Sequence, residues 1–306
     1  MNVSGLTRSA VADALSGGGL YIGILPFTVR LASNVSALGD DVLRLYGDFP
    51  LVDSNGFADF HVEVSYERGF RRWFKPLVRF YFDGRPSFIP LPVHQAFAML
   101  EWGINWCVAA HAHQYLIIHA AVIERDGRSM ILPAPPGSGK STLCAALINR
   151  GWRLLSDELA LYDMDAGLVY GMARPVNLKN QSIGIIRAHA PEAVITAPVA
   201  DTTKGTVALM KPPPESVRRA REPARPAWIV LPRYQAGADA LLERHEKART
   251  FMLLAEQSFN YNVHGRAGFD GIGDLVERCE CYQFTYSRLD DAERVLGELA
   301  KAGSLV

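Results

Sequence analysis

The residues best suited to chemistry are Gly137-Ser138-Gly139-Lys140-Ser141-Thr142, a glycine-rich turn that closes on Lys-Ser-Thr. Ser129-Met130-Ile131-Leu132-Pro133 before it reads as a strand, and Leu143-Cys144-Ala145-Ala146-Leu147-Ile148 after it reads as a helix. Strand, glycine turn, Lys-Ser and helix together make the setting of a phosphate-binding loop. Backbone N–H groups from Gly137 to Ser141 are expected to converge on an anion, because a helix N-terminus leaves donors unpaired and carries the positive end of the dipole. Lys140 would reach the β- and γ-phosphates of a nucleotide, and the Ser141 hydroxyl would ligate Mg2+, which prefers oxygen. Ala134 stands where such loops usually begin with glycine, so the chain must turn there without a positive φ.

A phosphate cradle also needs a carboxylate for the metal and a group that deprotonates the nucleophile. Asp157 and Glu158 follow Lys140 by seventeen and eighteen residues, at the end of the next expected strand. One could serve Mg2+ and the other act as base; a solvated Asp-Glu turn is the bland alternative. His119 lies within the apolar run Tyr115-Leu116-Ile117-Ile118-His119-Ala120-Ala121-Val122-Ile123, an unusual place for a polar ring. Beside Asp157 it would orient that acid; otherwise it is a satisfied core histidine. Arg174 and Lys179 are candidates for steadying a transferring phosphoryl group, with exposed loop charge as the equal alternative.

The elements that must position these residues follow from pattern. Residues 1–92 read as a separate strand-rich unit, with alternation in Ala58-Asp59-Phe60-His61-Val62-Glu63-Val64 and a hairpin signal at Asp83-Gly84. Val93 to Ala112 reads as a helix, with Phe97, Leu100, Ile104 and Val108 at helical spacing. The 115–123 strand, the turn Glu124-Arg125-Asp126-Gly127-Arg128 and the strand entering the loop make a hairpin, which an ordinary dinucleotide-binding βαβ unit does not need. Residues 197–226, rich in Pro, Arg and Lys, read as a loop or arm. Ala227–Pro232 and Tyr282–Tyr286 read as strands; Lys247–Asn260 and Asp290–Ala302 read as helices.

With 306 residues, 49% of them hydrophobic, and a formal net charge of zero, the chain has the composition of a globular protein of about two domains. The neutral balance gives no support for nucleic-acid binding. No secretory leader and no bilayer-length apolar run is evident, so no membrane partner is expected. The four cysteines, Cys107, Cys144, Cys279 and Cys281, lack disulfide or zinc spacing and read as buried thiols of a cytoplasmic protein.

Ile118-His119-Ala120, the hairpin, Gly137-Ser138-Gly139-Lys140-Ser141 and Arg153-Leu154-Leu155-Ser156-Asp157-Glu158 resemble the HPr serine kinase/phosphorylase family. The stretch Arg174-Pro175-Val176-Asn177-Leu178-Lys179-Asn180 and the whole length look like its HPr-kinase-related kinase A group. The resemblance implies an α/β P-loop kinase core of the HPr kinase/PEP carboxykinase type over residues 93–306, with an N-terminal strand-rich α+β domain over 1–92. It implies Asp157 as base, His119 as its partner, and Lys140 and Ser141 as phosphate and Mg2+ residues. Glu158 stands for the family's second Asp, Ala120 for the Gly after the histidine, and Pro136 for a loop Ser; the Glu-x-Arg-Gly segment tied to phosphorolysis is absent. The implied activity is ATP-dependent serine phosphorylation of a small HPr-like protein or peptide, with ATP and Mg2+ bound, in an assembly that resembling kinases form as oligomers. A nucleotide-binding regulatory module without turnover, a simple ATP hydrolase, and a kinase for free serine stay open as alternatives.

Overall fold

A computed structural model of the chain describes residues 1–54, 56–69, 74–135 and 137–302, so Pro136 of the loop lies outside the described residues. The structure is mixed α/β with several sheets. Its helices are α1 (Arg8–Ser16), α2 (Ser36–Tyr46), α3 (Ala96–His111), α4 (Lys140–Ile148), α5 (Gln181–His189), α6 (Pro214–Arg218), α7 (Lys247–Gln257), α8 (Tyr261–His264), α9 (Arg266–Arg278) and α10 (Leu289–Ala302). The first strands are β1 (Leu20–Ile24), β2 (Phe27–Ser33), β3 (Phe60–Tyr66), β4 (Leu77–Phe82), β5 (Arg85–Pro86), β6 (Leu91–Pro92), β7 (Leu116–Arg125), β8 (Arg128–Pro133) and β9 (Arg153–Ser156). They are followed by β10 (Leu159–Asp163), β11 (Leu168–Tyr170), β12 (Val176–Lys179), β13 (Val199–Thr202), β14 (Gly205–Met210), β15 (Arg225–Tyr234), β16 (Leu241–Arg244) and β17 (Glu280–Tyr286). Among the described residues, no helix is long and apolar enough to cross a membrane.

The chain divides into two compact units. The first takes Met1–His111, Arg174–Ile183 and Val194–Arg218; the second takes Ala112–Ala173, Gly184–Ala193 and Arg219–Val306. In the first, β1-β2-β3-β4-β5 form a sheet, with β6 also on β4. The alternation of β3 buries Phe60, Val62 and Val64 and leaves His61 exposed. Helix α3 packs in this unit, whereas a cut at residue 92 would assign it to the other. Gly103 of α3 is what permits the fit: a Cβ there would lie 2.1 Å from the Phe80 ring of β4. The segment 197–226, expected as a loop or arm, instead carries β13, β14 and α6. The reason is the apolar run Val207-Ala208-Leu209-Met210, fully buried in β14, and the reversal at Gly205, whose φ is +82°. Burial of four successive apolar residues outweighs the basic, proline-rich composition around them.

The second unit holds an eight-stranded sheet in the order β11-β10-β7-β8-β15-β17-β16, with β9 also on β7. β7 and β8 are the expected antiparallel hairpin, turning at Asp126 and Gly127 with φ of 54° and 77°. β8, β15 and β17 run parallel. Leu116, Ile118, Ala120 and Val122 of β7 join one core with Leu254 of α7 and Ile272, Leu275 and Val276 of α9. Strand period two sends residues 117, 119, 121 and 123 to the opposite face. That is why His119, flanked by apolar neighbours in sequence, emerges away from this core.

Candidate functional site

β8 delivers the chain to the glycine turn and α4 leaves it at Lys140. Gly137 and Gly139 take φ of +89° and +92°, the left-handed region, and Ala134 does not, so the turn is made by the later glycines as its sequence requires. Among the described residues, no side chain caps the α4 N-terminus. The turn is propped from the far side of β8. The Tyr286 hydroxyl donates to the Gly139 carbonyl at 3.2 Å, and the Tyr234 N–H donates to the Ser138 carbonyl at 3.0 Å. Burial pushes the Tyr286 hydroxyl well up, with Tyr234 adding to the effect, so it stays a proton donor. A Cβ on Gly139 would meet that hydroxyl at 2.5 Å, which requires glycine here, whereas a Cβ on Gly137 would meet no atom within 4 Å. Among the described residues, the buried Ser138 Oγ has no hydrogen-bond partner. An uncapped helix start, an orphaned hydroxyl and open space beside Gly137 suit an anionic group such as a phosphate.

The acids reach this place by strand register. β9 and β10 both pair antiparallel with β7, Ser156 opposite Val122 and Leu159 opposite His119. Residues 153–163 therefore run as one path along β7, interrupted at Asp157-Glu158. The interruption is held by the Ser156 hydroxyl, which accepts the N–H groups of Glu158 at 3.3 Å and Leu159 at 3.0 Å. Ala120 sets the level: it faces Pro133, the end of β8, on one side, and its N–H donates to the Glu158 carbonyl at 3.2 Å on the other. The acid pair thus stands level with the start of the phosphate turn, with β7 between them.

His119 is expected to pair with Asp157, and the structure corrects this. Its Nε2 lies 3.1 Å from Glu158 Oε2 and 3.1 Å from Lys140 Nζ. One ring nitrogen holds either a proton or a lone pair. It therefore accepts from Lys140 or donates to Glu158, and cannot do both at once. Asp157 is buried, and its charge acts with that of Lys140 on the Cys144 thiol of α4. Burial pushes that thiol well up, Asp157 raises it further and Lys140 opposes the rise. Ser141 and Thr142 lie in the first turn of α4, both half-buried.

Arg174 and Lys179 belong to the first unit. Arg174 is buried there: Nη1 donates to Glu101 Oε2 at 3.0 Å and Nη2 donates to Asn105 Oδ1. Glu101 also accepts from the Tyr46 hydroxyl at 2.6 Å. Burial raises the Glu101 carboxyl, and the Arg174 charge works against the rise. Arg174 is therefore the cation of an internal ion pair, and not the exposed loop cation that steadying a phosphoryl group would need. Lys179 ends β12 opposite Val207.

Four residues beside the turn or beside β7 escape sequence reading. Tyr234 and Tyr286 face each other across β15 and β17. Asn260, only 1% exposed, replaces a strand partner for β7 beyond the end of β8: it accepts the Ile117 N–H at 2.9 Å and donates to the Tyr115 carbonyl at 2.7 Å. Phe259, next to it, sets its ring 5.8 Å from that of His119. Tyr234 and Tyr286 carry the one signal available beforehand, aromatic residues at two apolar strand ends.

A family model described as "ScmC: SynChlorMet cassette protein ScmC" matches residues 94–170. No curated protein matches the chain. Among solved structures, the Hpr(Ser) kinase/phosphatase from Coxiella burnetii is similar, at 12% identity and a TM-score of 0.30, over 62% of this chain and 96% of that one.

Proposed function

We propose that this chain is an ATP- and Mg2+-dependent phosphotransferase acting on a serine hydroxyl of a small HPr-like protein or peptide. The observation that carries this reading is His119 Nε2 at 3.1 Å from both Lys140 Nζ and Glu158 Oε2, at the mouth of a propped glycine turn. Catalysis of phosphoryl transfer is mostly positioning and charge compensation, and these residues supply both. The N–H groups of residues 137–142 hold the phosphates, and Lys140 offsets their charge. Ser141, Asp157 and Glu158 supply the oxygen donors that Mg2+ prefers, and the ion when bound offsets phosphate charge. Asp157 accepts the hydroxyl proton as the acceptor oxygen bonds to the γ-phosphorus and the bond to the β–γ bridging oxygen breaks, releasing ADP. Glu158 fixes the His119 ring, and His119 turns from Lys140 to Glu158 as Lys140 engages phosphate. Lys179 is nominated by its sequence context alone.

The test is transfer of labelled γ-phosphate from Mg-ATP to serine-containing peptides, HPr-like proteins and free serine, with Asp157→Asn as control. Label on a peptide or protein serine, lost in the variant, is the expected result. ADP released without an acceptor would make the chain a hydrolase. ATP binding without ADP would make it a regulatory module, and label on free serine would replace the protein acceptor by a small molecule.

A further inference from the structure

The phosphate turn has two flanks, and they differ in chemistry. On the β7 flank stand His119 and Glu158, with Asp157 beside them in sequence. On the β15 flank stands Tyr234, an aromatic side chain 52% exposed. A scattered exposed aromatic needs no explanation, but this one is built in. Its backbone N–H is bonded to the Ser138 carbonyl at 3.0 Å. Its Cβ lies 3.2 Å from where a Cβ on Gly139 would stand. Its ring is backed edge-on by Tyr286, centroids 5.9 Å apart at 74°, and Tyr286 is itself stacked on Phe284 at 5.4 Å. The following turn is tied down as well, by Gln235 N–H to the Tyr286 carbonyl at 2.9 Å and Ser287 Oγ to the Ala238 carbonyl at 2.7 Å.

A nucleoside triphosphate is a linear ligand with a reactive end and an aromatic end. The reactive end must face the carboxylates, which fixes it on the β7 flank. The other end is then directed over β15, one strand spacing of about 4.8 Å from the strand that enters the turn. We infer that Tyr234 is the stacking platform for the nucleobase. This rests on the phosphotransferase reading for its direction and goes beyond it in assigning the base subsite. A rigid aromatic with an exposed ring suits a flat base, and such stacking tolerates any base, so the contact selects a nucleoside over a bare polyphosphate.

The test is calorimetric titration of wild type, Tyr234→Ala and Lys140→Ala with Mg-ATP and, separately, with inorganic tripolyphosphate. The alanine variant keeps the backbone N–H that holds Ser138, so the turn retains its prop. Tyr234→Ala is expected to weaken ATP by about tenfold and to leave tripolyphosphate within about twofold. Lys140→Ala is expected to lose both ligands. In Tyr234→Trp, the indole emission is expected to be quenched by ATP and not by tripolyphosphate. Equal weakening of both ligands in Tyr234→Ala would make Tyr234 a prop of the turn and overturn the inference. So would unchanged ATP binding in that variant while Lys140→Ala loses both, an outcome that leaves the phosphate-site reading standing. If wild type bound neither ligand, the phosphate-site reading would fall and the inference with it.

Discussion

Each unit holds a buried cation in a polar set with a carboxylate, Arg174 bonded directly to Glu101 in the first and His119 standing between Lys140 and Glu158 in the second, and the two arrangements serve opposite ends. In the first, Arg174 and Glu101 are 6% and 4% exposed at the side chain, with Tyr46 and Asn105 closing the set. In the second, His119 and Glu158 are 25% and 18% exposed, and they meet Lys140 at an uncapped helix start. A charge pair sealed from water is costly to break and costly to have buried, so it acts as a structural tie between α2, α3 and residue 174. A half-open set at a helix N-terminus can trade a protein contact for a phosphate at little cost, because the dipole and N–H groups already favour an anion. Both cations are buried, Arg174 at 6% and Lys140 at 8% exposure; the openness of their partners separates them.

The contrast yields a ranked set of outcomes. Asp157→Asn is expected to lower phosphoryl transfer by roughly 10²–10⁴-fold, the range for loss of a general base, with an unfolding curve close to wild type. If Glu158→Gln were the more damaging of the two in the transfer assay, the base would be Glu158. Arg174→Ala is expected to cost about 3–5 kcal/mol of stability in denaturant unfolding, because it strands a buried carboxylate. Lys140→Ala should cost less than that, because its partner His119 is partly open to water and keeps its bond to Glu158; similar losses for both would erase the distinction. Replacing the sealed pair together, as Glu101→Leu with Arg174→Met, should recover much of the loss seen for Arg174→Ala. His119→Gln is expected to lower transfer by about tenfold, since Lys140 and Glu158 remain and only their bridge is altered.

The smallest effect belongs to an exposed counterpart of these clusters. Asp274 accepts from Arg278 at 2.6 Å and from the Tyr162 hydroxyl. The Arg278 bond is the largest effect and holds its carboxyl below the ordinary 3.8 against burial, which raises it, with the Tyr162 bond adding a smaller lowering. A lowered folded-state value means that the unfolded chain binds the proton first. The contribution is therefore full above pH 3.8 and lost as pH falls through the lowered value. The stability gap between wild type and Asp274→Asn should stay constant from neutral pH down to that point and close below it. A gap that widened in acid would reverse the sign.

Local signals carried a large part of this molecule. The strand-turn-helix around Lys140, the β7–β8 hairpin, and the helices at 96–111 and 289–302 follow from short-range spacing, and the structure has all of them. Legibility failed where composition misled, as at 197–226, whose buried run at 207–210 is short and flanked by charge. It failed again at Arg174, whose partner Glu101 lies 73 residues away. The site was legible as a set of residue types and not as a set of pairs. Asp157 and Glu158 are adjacent in the break between β9 and β10, and one position decides which of them meets His119.

The sequence by itself determined the glycine turn, the residues at its rim and the strand and helix that hold it, because these depend on backbone freedom and on neighbours within a few positions. Only the tertiary structure decided that His119 bridges Lys140 and Glu158, that Arg174 is sealed inside another unit, and that Tyr234 and Tyr286 stand behind the turn. Those outcomes depend on the register between strands and on what encloses each charge, and neither is encoded in any short window of the chain.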